Sequence, residues 1–472
     1  MMRPTWSLGA SVVVALLLLA IASVRGGPAP LARENMGSST SIPAFSRLYR
    51  TSCSTCHSAA PKLNVLGEAF RLNGYRFPEN DQLLREQPVP LGAEAWKEVW
   101  PRAIWPGELP STPPLALRIV NDVEFTRDET KPYDWTYDFP ASIHFLAGGA
   151  LGGGIGFFTE THWESDGDIE VEQAKIALQD PLPFLPDRSL ALWVGKQKPY
   201  LLTLGASEID LAARVPFLWS SVAPSDITLM APSGEILASD VTLQLGDGQP
   251  ALEANGLVAR RAEWALGVTQ GTGDREGDDD DGKDVYWKVR VKLGGLALDG
   301  TYDGDEAPVV GRGGQLFDRG VLLEHFGYRG QSAVGEGAED EREAYGVAAR
   351  WLLGALDLGA GLVRDEDENP WGLDPPLRMK RWSAFAKAEW FIYPWLLGSL
   401  KLETLRASLP DDPPPGFALR ADRTRVLPGI VALVHQNVRA VAEAELYTDH
   451  EPAESERLNR PHTLWLRLDV AF

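Results

Sequence analysis

Apolar and polar residues alternate along most of the chain, and residues 463–472 at its end give the clearest example. Every second side chain from Leu464 to Val470 is aliphatic, and Phe472 continues this face. Arg467 lies on the opposite face. A period of two predicts a β-strand with one apolar and one polar face. A strand of a soluble sandwich has the same pattern, so this strand alone does not distinguish a soluble protein from a membrane barrel.

Hairpins repeat this alternation, and their connections are asymmetric. The pattern predicts paired strands in four stretches: 284–302 turning at Gly294, 345–364 at Leu353, 382–405 at Tyr393 and 430–447 at His435. Polar loops separate these hairpins: 271–283, 365–379, 407–423 and 449–460. Short turns at one end and long loops at the other are typical of a bacterial outer-membrane barrel.

The predicted fold is therefore an all-β transmembrane barrel over residues 111–472. We find roughly 14 to 19 strand-like segments, and an even number closes the barrel with both termini on one side, so we predict about 16 antiparallel strands. The region 231–261 is the hardest to assign. Tryptophans flank several apolar segments, and the chain ends on Phe472, as in outer-membrane proteins generally. The alternative is a large soluble all-β periplasmic protein.

Residues 43–110 do not alternate in this way. Apolar residues from Leu63 to Leu72 have helical spacing, Pro61 suits a helix start, and Asn73-Gly74 suits a helix end. So small a unit buries little apolar area by itself. We expect it to be stabilised by a cofactor and by the barrel, whose lumen is wide enough for a plug.

Both cysteines of the chain lie in residues 53–57, which read Cys-Ser-Thr-Cys-His. A C-x-x-C-H sequence attaches c-type haem: Cys53 and Cys56 form thioether bonds, and His57 is the axial iron ligand. A redox disulfide and half of a zinc site are alternatives. No cysteines remain to complete a zinc site. The motif predicts one covalent haem c.

The N-terminus predicts export. Arg3 precedes an apolar run over residues 12–22, which ends in an Ala-x-Ala cleavage signal at Ala22. We interpret 1–22 as a signal peptide and 23–42 as a flexible segment; an uncleaved anchor is the alternative. Because haem c is attached outside the cytoplasm, export agrees with the motif.

Charge limits the possible partners. The 472-residue chain has a formal net charge of −21, which excludes nucleic acid as a natural partner. Acidic runs at 278–281 and 365–368 fall in predicted outward loops. They either concentrate cations near the barrel mouth or form ordinary solvated loops.

The sixth ligand of the haem iron is not determined by the sequence. Electron-transfer cytochromes usually add a methionine or a second histidine. The candidates from the barrel are His144, His162, Met230 and Met379. The alternative is an open iron position, which permits peroxidase-like or sensing chemistry.

The N-terminal region resembles the fused monohaem cytochrome–porins. The resemblance rests on about 35 residues: Pro-Ala-Phe-Ser-Arg at 43–47, the haem motif, Pro-Lys-Leu-Asn at 61–64 and Phe-Arg-Leu-Asn-Gly-Tyr at 70–75. The family implies one haem c ahead of a 16-stranded barrel in the outer membrane of a Gram-negative bacterium. Its best-known members are iron oxidases.

The resemblance also implies an activity and partners. An extracellular reductant such as Fe(II) gives electrons to the haem, and a periplasmic acceptor, a soluble cytochrome or a cupredoxin, receives them. Any enzymatic activity is at most that of an iron(II):cytochrome oxidoreductase. Two alternatives stay open: a diffusion porin with a haem sensor or plug, and a haem enzyme with an open iron position.

Overall fold

The computed structural model describes residues 44–87, 89–90, 108–109, 113–127, 135–151, 154–165, 167–199, 201, 211, 228–237, 245–246, 248–271, 282–302, 308–311, 314–334, 338–409, 415–420, 423–448 and 462–472. The predicted signal peptide, the segment 23–42, the acidic run 278–281 and the loop 449–460 lie outside the described residues. Among the residues described, no helix is long and apolar enough to cross a membrane.

Sixteen strands form one closed barrel, which confirms the predicted fold class. The strands are β1 (Leu115–Arg127), β2 (Trp135–Leu151), β3 (Ile155–Glu164), β4 (Ile169–Gln179), β5 (Ala191–Gln197), β6 (Gln249–Val258), β7 (Ala262–Thr269), β8 (Asp284–Leu293), β9 (Arg319–Val334), β10 (Ala338–Leu353), β11 (Leu356–Asp367), β12 (Met379–Tyr393), β13 (Leu396–Ser408), β14 (Arg423–His435), β15 (Val438–Tyr447) and β16 (His462–Ala471). Each strand pairs antiparallel with its neighbours in sequence, and β16 pairs with β1 to close the ring.

The two ends of the barrel differ as the sequence predicts. We call one end the turn end, because it holds the start of β1, the end of β16 and five connections of two or three residues: 152–154, 259–261, 354–355, 394–395 and 436–437. The opposite end is the loop end. Two connections at the turn end are longer, 180–190 and 294–318.

The barrel is polar inside and apolar outside, as β8 illustrates. Tyr286, Lys288 and Arg290 point inward and are buried. Val289 and Leu293 alternate with them and are exposed on the outer surface. An apolar exterior around a polar interior is the arrangement of a barrel that faces lipid.

Exposed aromatic side chains form a belt near each end of the barrel. On β12, Trp382 lies toward the loop end and Trp390 toward the turn end. Eight residues of strand span about 27 Å. At a strand tilt of about 35–45° this becomes roughly 19–22 Å along the barrel axis, comparable with the ~25 Å height of an apolar band between two interfaces.

Two sequence predictions about strands are wrong. Residues 296–302 do not form a barrel strand, since β8 ends at Leu293 and β9 begins at Arg319. This connection instead buries Leu296 and Leu298 inside the protein, which explains its apolar composition. The acidic run 365–368 is not an outward loop either. Asp365 and Asp367 belong to β11 and are buried against Arg381, 2.8 and 2.7 Å away.

The region 231–261 contains two different structures. Its second half supplies β6 to the barrel. Its first half contains the short strand Ile236–Leu237, which belongs to a separate three-stranded sheet. The central strand of this sheet is Thr228–Met230, and it pairs with Ile236–Leu237 on one side and with Ala418–Arg420 on the other. Further two-stranded pairs join Val89–Pro90 to Glu108–Leu109 and Val309–Val310 to Leu316–Phe317.

Residues 44–87, which we call the lumen segment, contain short elements before the barrel. They are α1 (Ala44–Tyr49), a 3₁₀ turn (Cys53–Thr55), the paired strands His57–Ala59 and Lys62–Leu63, α2 (Val65–Leu72) and α3 (Asp81–Leu84). Asn64 caps α2, because its Oδ1 accepts from the backbone nitrogens of Leu66 and Gly67 at 3.0 Å. The helix therefore does not begin at Pro61 as predicted, whereas Asn73 and Gly74 end it as predicted.

Buried ion pairs hold the lumen segment inside the barrel. Glu68 of α2 accepts from Arg350 at 2.7 Å and from Arg290 at 3.1 Å. Lys62 donates to Asp357 at 2.8 Å and also to Glu389. The backbone of the segment contacts the wall as well, because a Cβ on Gly156 of β3 would lie 2.4 Å from the Gly74 carbonyl oxygen. The segment thus lies in the lumen near the turn end.

These ion pairs make the docking of the lumen segment depend on pH. Burial alone raises the pKa of Glu68, but Arg350 and Arg290 outweigh it and hold the pKa below its ordinary value of 4.5. Burial alone lowers the pKa of Lys62, but Asp357 and Glu389 hold it above 10.5. The stabilisation from Glu68 is complete above pH 4.5 and lost as pH falls through its lowered pKa. The stabilisation from Lys62 is complete below pH 10.5 and lost as pH rises through its raised pKa.

We expect single-channel conductance in planar bilayers to be lowest across the neutral plateau and to rise on both sides as the segment undocks. Glu68→Gln and Lys62→Met each remove one of these charges at every pH, so each should raise the conductance at neutral pH toward the value that the wild type reaches at the acid or the alkaline limit. A conductance independent of pH on both sides contradicts the role of these pairs.

Candidate functional site

A cavity of about 300 Å³ lies between the lumen segment and the wall of the barrel. Cys53, Cys56 and His57 line it from the segment. His144 lines it from β2 of the wall. The sequence predicts that Cys53, Cys56 and His57 form one site. They therefore line the same cavity as His144, which is one of the four candidate sixth ligands.

Local structure places the two cysteines. The 3₁₀ turn Cys53–Thr55 brings them to the same side, and the amide of Asn64 donates to the carbonyl oxygens of Ser54 and Thr55, both at 3.1 Å. Helix α2 packs directly on this turn, because a Cβ on Gly67 would lie 2.1 Å from the carbonyl oxygen of Cys56. The turn is therefore held by a side-chain cap and by a helix backbone.

The protonation of the cysteines argues against redox chemistry between them. Neither is in a disulfide. Burial raises the pKa of Cys53 and raises the pKa of Cys56 to about 12. Redox dithiols need a thiolate, which their surroundings favour by lowering the pKa. At neutral pH both residues here are neutral thiols.

His57 is oriented by the backbone of its own hairpin. Its Nδ1 lies 3.1 Å from the carbonyl oxygen of Pro61. A carbonyl only accepts, so Nδ1 carries the proton and Nε2 carries the lone pair. Burial lowers the pKa of His57, which keeps the ring neutral. A neutral imidazole with a fixed tautomer is the form that ligates metals.

Aromatic rings form one wall of the cavity. Phe45 stacks on Tyr75 with ring centroids 5.8 Å apart, and it meets Phe70 edge-on at 5.0 Å. Tyr75 in turn stacks on Phe158 of β3 at 5.4 Å. This cluster joins the segment to the barrel and gives the cavity an apolar side suited to a flat hydrophobic ligand.

Polar side chains from β1 to β4 also line the cavity. Arg118, Glu160 and Glu172 line the cavity beside His144. His144 Nδ1 lies 3.1 Å from Glu160 Oε1, and its ring centroid lies 5.4 Å from that of His162.

The two methionine candidates lie elsewhere. Met379 is fully buried in a cluster with Leu229, Trp371 and Leu377. Met230 belongs to the three-stranded sheet described above. Neither is among the residues that line the cavity in the described part of the chain.

A second opening reaches the same motif from the turn end. This cleft has a volume of about 320 Å³ and is lined by Cys53 and His57 together with Trp395 of a turn and Leu433 and His435 at the end of β14. The Cys-Ser-Thr-Cys-His sequence therefore lies between the inner cavity and the turn-end surface.

No protein-family model and no curated protein matches the sequence. Among solved structures, the trimeric form of OmpT of Vibrio cholerae has a TM-score of 0.50 at 10% sequence identity, covering 76% of this chain and 98% of that chain. The fold is therefore a closed antiparallel barrel like that of this outer-membrane protein. An anion-selective porin from Comamonas acidovorans has a TM-score of 0.49 at 11% identity, covering 76% of this chain and 98% of that chain.

The sequence predicted the part of the site that lies in one short stretch. It missed Arg118, Glu160 and Glu172, which belong to three different barrel strands. Strand alternation predicts that these residues face inward, but it predicts the same for every polar residue of the lumen and so does not single them out. Only the pairing of β1 to β4 around the segment shows which of them meet the cavity.

Proposed function

We propose that the chain is an electron-transfer protein of the outer membrane of a Gram-negative bacterium. It carries one haem c, joined to Cys53 and Cys56 and ligated by His57. It takes electrons from an extracellular donor, Fe(II) in the first instance, and gives them to a periplasmic acceptor such as a soluble cytochrome or a cupredoxin. This proposal makes it a fused monohaem cytochrome–porin.

The observation that carries the proposal is the donor set of the cavity. Two neutral thiols and an imidazole with its tautomer fixed by Pro61 line one space whose other side is aromatic. Thioether formation needs the two sulfurs, and axial ligation needs the unprotonated Nε2. The residues of the segment therefore fit haem c.

The position of the cavity supports transfer across the membrane. Haem c supplies a one-electron redox centre when it is bound. The apolar band of such a barrel is ~25 Å tall and does not conduct charge. The cavity lies inside the barrel with a cleft toward the turn end, so an electron has a route on both sides. Each Fe(II) oxidised to Fe(III) outside releases one electron, and the acceptor takes up that electron.

The lumen segment favours a conduit over a diffusion porin. Helix α2 and its ion pairs fill space that a solute would need, since Glu68 of α2 binds Arg290 of β8 and Arg350 of β10. A diffusion porin with a haem plug and a haem enzyme with an open iron position are tested by the experiment below.

The decisive measurement is the haem α-band of intact cells before and after addition of Fe(II) outside. We expect the band of reduced haem to appear without permeabilisation, and His57→Ala to abolish it while the barrel still inserts. Reduction only after the outer membrane is opened favours the porin with a haem plug. Stoichiometric binding of carbon monoxide to the reduced haem favours the enzyme.

A further inference from the structure

A cluster of metal-ligating side chains lies beside the cavity on its loop-end side. His144 of β2 and His162 of β3 are directly opposite each other in the strand register. Glu172 of β4 completes the group. One ligand atom from each of these three residues lies within 4.8 Å of the others.

The ligand atoms of His162 and Glu172 face each other, whereas the two ring nitrogens of His144 have polar neighbours at 3.0 and 3.1 Å outside the cluster. His162 Nδ1 is buried without a hydrogen bond and lies 3.6 Å from Glu172 Oε2. The other oxygen of Glu172, Oε1, pairs with Lys198. Glu172 can therefore offer Oε2 to a cation while it keeps its partner.

Bond lengths near 2.1 Å place two ligands of one ion at most ~4.2 Å apart, so small side-chain rotations would close the site. Two imidazoles with one carboxylate are the donor set of divalent first-row transition metals. The set differs from the all-oxygen sites that Ca²⁺ and Mg²⁺ prefer.

The charges around the cluster favour a cation. Glu160 lies 3.1 Å from His144 Nδ1, and Glu170 and Glu164 lie 3.4 and 3.5 Å from His162 Nε2. The basic groups that face the cluster from β5 and beyond are Lys196, 3.2 Å from Glu170, and Lys198. Four carboxylates thus face two lysines and Arg118, and Arg118 is itself paired with Asp469 at 2.7 Å, which leaves a net negative charge on the groups around the two histidines.

The cluster is also open toward the loop end. The exposed fraction of the carboxylate side chains rises along the wall, from 20% at Glu172 to 37% at Glu170 and 55% at Glu164. On the other side, His144, Glu160 and Glu172 line the cavity itself. A cation that enters from the loop end meets this cluster before it meets the cavity.

We propose that His144, His162 and Glu172 bind a divalent first-row transition cation in the wall of the lumen, next to the cavity. The binding of a cation at this site does not depend on the proposed function. The further statement that Fe(II) gives its electron to the haem at this site rests on the proposed function. One bound Fe(II) becomes Fe(III), and its electron passes to the haem. His144 and His162 are then cation ligands and not ligands of the haem iron.

The test uses the full-length protein in detergent, stripped of metal, with Zn²⁺ as a redox-inert probe in isothermal titration calorimetry. We expect one Zn²⁺ per chain, and a loss of affinity of about tenfold or more in His162→Ala and in Glu172→Gln. His325→Gln is the matched control, because His325 is exposed on β9 and contacts only a backbone carbonyl. Equal affinity in the wild type and both variants overturns the proposal.

The haem spectrum separates this proposal from the proposed function. His144→Ala should keep the wild-type spectrum, and a change from low-spin to high-spin haem overturns the site, because His144 then ligates the haem iron. A chain that carries haem and accepts electrons from Fe(II) but binds no Zn²⁺ refutes the site alone. A chain that binds Zn²⁺ at these residues but carries no haem supports the site and refutes the proposed function.

Discussion

Replacing both cysteines, Cys53→Ala with Cys56→Ala, is expected to remove all covalently bound haem while the barrel still forms. The two thiols are the only groups of the motif that can make thioether bonds. The barrel is closed by the ladder between β16 and β1, which involves neither residue. Haem staining after denaturing electrophoresis measures the first effect. The migration shift between heated and unheated samples measures the second.

Ser54→Ala is the matched control for the double variant. Ser54 lies between the cysteines in the same 3₁₀ turn, and its hydroxyl forms a hydrogen bond with that of its neighbour Ser52, at 2.7 Å. We expect full haem staining in this variant. A haem stain that survives in the double cysteine variant contradicts covalent attachment at this motif.

Glu68→Ala is expected to release the lumen segment from the barrel. Removing one partner of a buried ion pair costs about 3–5 kcal/mol, because the remaining charge stays buried. The lower value, about 3 kcal/mol, applies here. Both arginines keep another carboxylate: Arg290 has Glu263 at 2.5 Å, and Arg350 has Asp357 at 2.7 Å. Single-channel conductance in planar bilayers at neutral pH should rise as the segment leaves the lumen.

The control for this change is Glu341→Ala. Glu341 is 58% exposed and lies 3.9 Å from Arg329, which is itself 66% exposed. An exposed pair of this kind contributes about 0–1 kcal/mol, so conductance should stay at the wild-type value. If Glu68→Ala also leaves conductance unchanged, the ion pairs of Glu68 do not hold the segment in place.

The barrel could be predicted because its physical signal is repeated in every strand. On β8, each polar residue that faces the lumen is followed by a residue that faces lipid, and the period of two is readable without any partner strand. The wrong strand and loop predictions concern segments whose residue pattern resembles one structure while their contacts in the folded protein produce another. Residues 296–302 are apolar because they cover the lumen segment, as the 3.1 Å approach of a Cβ on Gly300 to Ala69 shows.

The prediction that the acidic run 365–368 forms an outward loop was wrong for a similar reason. A sequence of alternating Asp and Glu predicts a solvated loop, because isolated carboxylates avoid burial. Asp365 is buried nevertheless, since Arg342 of β10 and Arg381 of β12 approach it at 2.7 and 2.8 Å. These partners come from neighbouring strands, and their register is not visible in the sequence.

The candidate site likewise has one part that the sequence predicts and another that depends on the folded structure. The Cys-Ser-Thr-Cys-His sequence is local, so its residue types and spacing are enough to predict a haem site there. The cluster of His144, His162 and Glu172 depends on the register of three strands. Both histidines alternate with outward-facing residues of their strands, but only the pairing of β2 with β3 brings them opposite each other.

The ion pairs of the lumen segment also determine the order in which the protein can be assembled. The carboxylate partners of Lys62 lie 295 and 327 residues further along the chain. If the chain is exported from its N-terminus, as the sequence predicts, the Cys-Ser-Thr-Cys-His sequence reaches the periplasm long before these partners do. The lumen segment, which precedes every barrel strand in the chain, can then reach its final position only after β11 and β12 have formed. We expect its cysteines to stay accessible until that point.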